Sequence, residues 1–333
     1  MKSSHVKKIV GAVAVFASAA ASANSGFPQR RIQVIYPWSA GTPTYAVSQI
    51  IANAMARQLG VGMPVVAKTG AGGVNAFNQA LNQPADGYTV LDGYVAPLII
   101  SPLFKKANWS CNSFVPLYSA TSNVFAIASL KDENRWTNFP SFVKYLKSHP
   151  GKTLYGAAPL SLPNMVVSKM LKSLHLVARD VPYSDPANSI KDLRSGLLSW
   201  VVINPGIYQA DKGDLRVLAV LSSNPQARKI YGGAKLVTDF GAKIGLTGLA
   251  PSGWDWWLVK KGTPRSAVSK LRGAMQAALS ETGVRKKITH IGFVVTEYPP
   301  NKYQNVCASV KKQLNTGIAA IKWEKMQLKK LGY

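Results

Sequence analysis

The chain has 333 residues, 40 Lys and Arg against 14 Asp and Glu, a formal net charge of +26, and only two cysteines. The length favours two domains over one and leaves ample material for a core. The basic surplus invites a nucleic-acid reading, but pairs such as Lys311-Lys312 and Lys329-Lys330 sit on amphipathic helical stretches as a solvated face would, and no nucleic-acid module appears, so nucleic acid is excluded as the expected partner. The chain opens with Lys2, Lys7 and Lys8, an apolar run over 9–20, and the small-x-small pattern Ala21-Ser22-Ala23. This is the layout of a secretory signal peptide. The apolar run falls short of the roughly 20 residues a spanning helix needs. Cleavage after Ala23 is expected, giving a soluble mature protein that starts at Asn24 with a charge of +23, since the three lysines are lost. No cysteine lies near the cleavage site, so a lipid anchor is not expected.

Beyond the leader, short apolar strands alternate with helix-length amphipathic stretches, the pattern of α/β layers. Strands are predicted over 32–36, 64–67, 89–91, 115–118, 125–128, 154–157, 200–203 and 217–221, with another around 256–259. Helices are predicted over 46–59, 75–82, 139–148, 163–174, 186–195, 264–280, 284–291 and 301–326. Two strand-to-helix turns stand out. Pro64-Val-Val-Ala-Lys-Thr-Gly-Ala-Gly-Gly-Val-Asn75 is one, and Tyr36-Pro-Trp-Ser-Ala-Gly-Thr-Pro-Thr-Tyr45 is the other. A glycine-rich turn that opens a helix aims backbone N–H groups and the positive end of the helix dipole at one point, where an anion fits. Two such turns suggest a carboxylate-binding cleft. Trp254 and Trp256-Trp257 belong to a strand and are expected in the core. Cys111 and Cys307 in an exported chain invite a disulfide, with two buried thiols as the alternative.

Catalytic signals are thin. The mature histidines, His149, His175 and His290, have no metal spacing and sit on or beside helices expected to face solvent. The acids are few and dispersed. No nucleophile elbow, zinc motif, Walker loop or dinucleotide fingerprint is present. A pocket built on backbone amides without acids and bases binds rather than reacts, so no catalytic residue, no metal and no cofactor is expected.

The order of several motifs resembles the Bug/TctC family, the periplasmic solute-binding receptors of tripartite tricarboxylate transporters. The residues that carry the resemblance are Arg31-Ile-Gln-Val-Ile-Tyr-Pro-Trp-Ser-Ala-Gly41, Pro64-Val-Val66 with Gly70-Ala-Gly-Gly73, Ala85-Asp-Gly-Tyr-Thr-Val-Leu-Asp-Gly93, Val181-Pro-Tyr183, Gly213-Asp-Leu-Arg-Val-Leu-Ala-Val220 and Lys261-Gly-Thr-Pro264. It implies an α/β, two-domain periplasmic binding protein of type II, a Venus flytrap with mixed sheets flanked by helices and a hinge. Domain one would hold 24–124 and 241–333 and domain two 125–240, after a signal peptide over 1–23. The resemblance implies a periplasmic monomer that captures a small organic carboxylate for membrane permease subunits or for sensing. It carries the ligand role to Trp38, Gly41, Thr42, Thr44 and Tyr45 in the first turn and to Gly70, Ala71, Gly72, Gly73 and Asn75 in the second, with Gly93-Tyr94 as a third contact.

The sequence departs from the family pattern where the family has acids. Tyr45 replaces a helix-start acid, Asn204 follows Ile203 without the acid the family often has, and Asp185 stands in place of a glycine. In the second domain Pro159-Leu-Ser-Leu-Pro-Asn164 leaves Ser161 and Asn164 as the polar groups. Loss of two acids argues against an ammonium-bearing ligand, which would want a carboxylate partner. Trp38, Tyr45, Tyr94, Leu160 and Leu162 would line an apolar wall, so an aromatic or otherwise apolar carboxylate is the expected ligand. The alternative is an exported interaction protein on the same scaffold, its ligand site decayed and its basic C-terminal region facing an anionic surface.

Overall fold

A computed structural model describes residues 26–159, 161–183, 188–245 and 254–333. The expected signal peptide and its expected cleavage site, Leu160, Asp185 and the start of the helix expected at Pro186 lie outside the described residues, as does the side chain of Trp254. In chain order the first lobe contains β1 (Gln33–Tyr36), α1 (Pro43–Leu59), β2 (Val65–Ala67), α2 (Val74–Asn82), β3 (Thr89–Tyr94), α3 (Ser101–Leu103) and β4 (Phe114–Ser122). The second lobe contains β5 (Ala126–Leu130), α4 (Phe139–Ser148), β6 (Leu154–Ala157), α5 (Leu162–Leu174), β7 (Arg179–Pro182), α6 (Ser189–Arg194), β8 (Trp200–Ile203), α7 (Pro205–Asp211), β9 (Leu215–Val220) and α8 (Ala227–Ile230). The chain then returns through β10 (Trp254–Lys260), α9 (Arg265–Ser280), α10 (Thr282–Ile291) and β11 (Val294–Val295), and ends in α11 (Tyr303–Lys330).

Two mixed sheets result, in the orders β11-β4-β10-β3-β1-β2 and β7-β6-β8-β5-β9. In the first, β1 pairs in parallel with β2 and β3, while β10 runs antiparallel to β3 and β4. In the second, β6 pairs in parallel with β7 and β8, and β5 runs antiparallel to β8 and β9. The two-lobed fold with mixed sheets agrees with the sequence expectation. Parallel βαβ units place helix starts at the carboxyl ends of the strands, where ligands bind in open α/β sheets. The two turns singled out in the sequence open α1 and α2 at that edge.

Ile51, Met55, Leu271 and Met275 pack α1 and α9 onto one face of the first sheet, around Trp257. The opposite face continues without a break into the second lobe through Trp256, Tyr303, Leu314, Met165 and Trp200. Trp256 and Trp257 are both fully buried, so their indoles fill core rather than a site. Gly93 lies inside the sheet, where an added Cβ would come 2.5 Å from Leu258 Cδ1. Two acids are also buried in this lobe. Asp255 accepts hydrogen bonds from the Thr121 amide (2.9 Å) and hydroxyl (2.8 Å), and Asp92 accepts one from Ser48. Burial pushes both carboxyls above the ordinary range.

α11 crosses from one lobe to the other. Near its start Cys307 is disulfide-bonded to Cys111, with Cα atoms 6.6 Å apart, so of the two cysteine readings the bridge is the one seen. Further along, Gly317 lets the helix approach α5: an added Cβ would meet Met165 Cγ at 2.2 Å. Glu324 then accepts hydrogen bonds from Tyr155 (2.9 Å) and Ser168 (2.5 Å), and the Tyr333 ring lies beneath the Arg179 guanidinium. The expected division gave 241–333 to domain one and ended this helix at 326. α11 runs 28 residues, about 42 Å, and its second half packs against α5 of the second lobe. The amphipathic pattern marks a buried stripe but does not say which lobe covers it.

Burial raises the Glu324 carboxyl to about 7, against the opposing effect of its two hydroxyl donors. Its folded value exceeds the unfolded one, so the folded state binds the extra proton between pH 4.5 and 7 and stability falls as pH rises through that window. Glu324→Gln should remove this part of the loss, about 3 kcal/mol. Urea melts of wild type and variant at pH 4.5 and pH 8 check it, and an equal loss in both proteins would refute it. The comparison with wild type is needed because Asp92 and Asp255 contribute in the same direction.

Candidate functional site

A cavity of about 430 Å³ opens between the lobes. The first lobe lines it with Pro37 and Trp38, the stretch Thr69–Val74, Ala96, Ser101 and Lys106, and the second lobe with Ala158, Pro159, Ser161 and Tyr183. The lobes almost touch at its rim, where a Cβ on Gly72 would stand 3.9 Å from the Pro159 carbonyl oxygen.

The glycine turn is built from four successive residues of positive φ: Gly70 (111°), Ala71 (49°), Gly72 (64°) and Gly73 (89°). This turn stands on the cavity wall immediately before α2, whose first amides carry the positive end of the helix dipole. The Gly73 amide donates to the Gly70 carbonyl (3.0 Å), which leaves the amides of Ala71 and Gly72 for another acceptor. Gly73 is also the N-cap of α2. Asn75 does not line the cavity. Its side-chain amide donates to the Thr69 carbonyl (3.0 Å) and packs against Gly70, bracing the turn from behind.

The second lobe answers with the start of α5. Ser161 is its N-cap, and its hydroxyl accepts from the Asn164 amide (3.2 Å). Asn164 itself is buried within the helix and does not line the cavity, nor does Leu162. Two helix starts from opposite lobes thus border one cavity, and each brings the positive end of a dipole.

The first turn lines this cavity through Pro37 and Trp38. Trp38 is half-buried and lines the cavity, with the ring of Tyr94 packed edge-on behind it at 5.8 Å. Gly41, Thr42, Thr44 and Tyr45 do not line this cavity. Thr42 caps α1, and both threonine hydroxyls are tied to the buried Tyr36 phenol, at 3.2 and 2.6 Å. The Tyr45 hydroxyl donates to the Val65 carbonyl (3.0 Å). The start of α1 is covered by α7 of the other lobe, where an added Cβ on Gly206 would come 2.3 Å from Pro43. Asn204 caps α7, its Oδ1 accepting from the Ile207 amide (2.9 Å), and sits at this inter-lobe contact rather than on the cavity. Gly93 and Tyr94 are likewise off the cavity wall. The sequence therefore located the turns, and the packing decided which face of each is available.

Several lining residues are not among the expected ligand residues, Tyr183 and Lys106 among them. Tyr183 belongs to the Val181-Pro-Tyr183 motif; its hydroxyl donates to Asp192 (2.5 Å), and burial together with that carboxylate raises it to about 12, so it stays neutral. Lys106 follows the short α3, its amide bonded to the Ser101 carbonyl (2.9 Å). It is the only charged side chain among the described residues that line the cavity, and no acid is among them. Among the described residues no cluster of three metal-ligating side chains occurs.

The family described as Tripartite tricarboxylate transporter family receptor matches residues 47–322. The chain belongs to this receptor family. It is 24% identical to Protein BugT of Bordetella pertussis over 263 residues, 78% of this chain and 79% of that one. MatC of Rhodopseudomonas palustris, solved with bound malate, superposes at TM-score 0.72 with 22% identity over 90% of this chain and 99% of its own. A second R. palustris protein, solved with adipate, superposes at 0.76 with 19% identity over 88% of this chain and 98% of its own. Ligand pockets occur preferentially at interfaces between domains, and the cavity described above lies at such an interface.

Gly73 tests the construction of the site. An added Cβ would meet Pro97 at 2.9 Å and Pro37 at 3.2 Å, at a φ that side chains rarely adopt. Gly73→Ala should cost about 2 kcal/mol and displace the cavity wall. The expected result is a lowered midpoint in urea, and an unchanged midpoint would show that the turn relaxes freely.

Proposed function

We propose that the protein is an exported periplasmic receptor that captures a small organic carboxylate and presents it to membrane permease subunits or a sensor. The carrying observation is the meeting of two helix starts and a run of left-handed amides at one inter-lobe cavity. A carboxylate there accepts charge-assisted hydrogen bonds of about 1.5–3 kcal/mol each, sufficient for micromolar binding. The ligands held by the two R. palustris neighbours, malate and adipate, support the same class.

The wall formed by Pro37, Trp38, Val74 and Ala96 favours an apolar or aromatic body between polar groups. With no described acid on the cavity, a ligand ammonium would lack a counter-charge. The protein would act as a monomer, without catalysis or cofactor, and lobe closure would couple capture to delivery. No helix among the described residues is long and apolar enough to cross a membrane, which is compatible with a permease supplied by other chains.

A thermal-shift panel on the mature chain from Asn24 tests the reading, with aliphatic and aromatic mono-, di- and tricarboxylates, acidic amino acids and sugars. One class of carboxylate at about 100 times its Kd should stabilise the fold by about 2.7 kcal/mol. Silence across the carboxylates, from protein shown to be folded and ligand-free, would overturn it.

A further inference from the structure

Lys106 is set apart from the other cations of this chain. Every ion pair among the described residues is made by an arginine: Arg30, Arg57, Arg135, Arg194, Arg228 and Arg285. No lysine takes part in one. Most lysines stand on exposed helix faces, where water solvates them, but Lys106 lines the inter-lobe cavity. Its place there is built. Lys105 adopts a left-handed φ of 55°, its amide bonds to the Pro102 carbonyl (3.0 Å), and the Lys106 amide bonds to Ser101, whose residue also lines the cavity. This tight turn ends α3 and commits the next side chain to the cleft.

The cavity therefore offers two distinct cationic features. One is the backbone pair formed by the Gly70–Gly73 turn and the start of α5. It needs no side-chain charge and suits one carboxylate. The other is the Lys106 ammonium, a point charge on a flexible stem. Between and around them the wall is largely apolar. A monocarboxylate would use the backbone site and leave Lys106 uncompensated. A second anionic group on the same ligand would satisfy it.

Building on the receptor reading, we propose that Lys106 is a specificity-determining residue that binds a second acidic group, so that the ligand is a dianion with an apolar spacer. Adipate and terephthalate have that chemistry, and their monoamides keep the shape while removing one charge. Closure of the lobes over the ligand would take the ammonium and its partner partly out of water, where the pair gains strength.

The test is calorimetric titration of adipate, terephthalate and the monoamide of each into wild type, Lys106→Met and Lys106→Arg. Wild type should bind the better diacid roughly tenfold tighter than its monoamide, with the advantage shrinking as salt is raised. Lys106→Met should bind diacid and monoamide alike, at the level of the monoamide, and Lys106→Arg should restore the preference. A wild-type protein that does not distinguish diacid from monoamide overturns the proposal, as does a Lys106→Met variant that keeps the full preference. Failure of all four compounds to bind folded wild type would instead count against the carboxylate reading itself, and the Lys106 assignment would fall with it. Thermal melts of the ligand-free variants, expected to match wild type because the side chain is exposed, separate loss of binding from loss of fold.

Discussion

The site depends on a backbone constraint. From Gly70 to Gly73 the chain holds positive φ at four consecutive positions, a conformation in which L side chains are penalised and glycine is not. Three of the four are glycine, and the fourth, Ala71, is the smallest residue that carries a Cβ. The absent side chains let Pro37 and Pro97 pack directly on Gly73 and let Pro159 of the other lobe approach Gly72. The same dihedral run lines the cavity and leads directly into α2. The shape of the cavity wall and the lobe contact are thus consequences of one local geometry.

Around this turn, the two lobes are held in relation by more than the crossing strands. α11 is disulfide-bonded to the first lobe through Cys307 and buried in the second through Gly317 and Glu324. A 28-residue helix anchored at both ends limits how the lobes can move, because it resists bending more than a loop does. α7 adds a second contact between the lobes, where Gly206 meets Pro43. Any hinge motion has to part that contact while α11 bends or slides.

Charge is divided in a corresponding way. Arginines carry the surface ion pairs, while the exposed lysines of α11 remain solvated and contribute mainly to the long-range field. The high net charge therefore draws anions toward the protein without specifying one. Specificity has to come from groups at the cavity, and there the described charge is a single ammonium.

Much was legible in the amino-acid order. Alternating apolar strands and amphipathic helices determined the α/β class, and the glycine turn with its following helix marked a segment that the fold places on the inter-lobe cavity. Motif order determined the receptor family, and Trp256-Trp257 read as core because a strand apolar at successive positions is buried on both faces. The tertiary structure decided the rest. Thr42 and Thr44 turned inward because Tyr36 lies within hydrogen-bond reach, a contact made by folding a turn back on its own strand. Asn75 became a brace, Asn204 a cap at a lobe contact, and α11 a link between lobes, each through partners distant in sequence. Lys106 had no motif to mark it. A lone lysine after a short helix looks like any solvated lysine until the fold closes a cavity around it, because periodicity reports which face of an element is buried and not what that face meets.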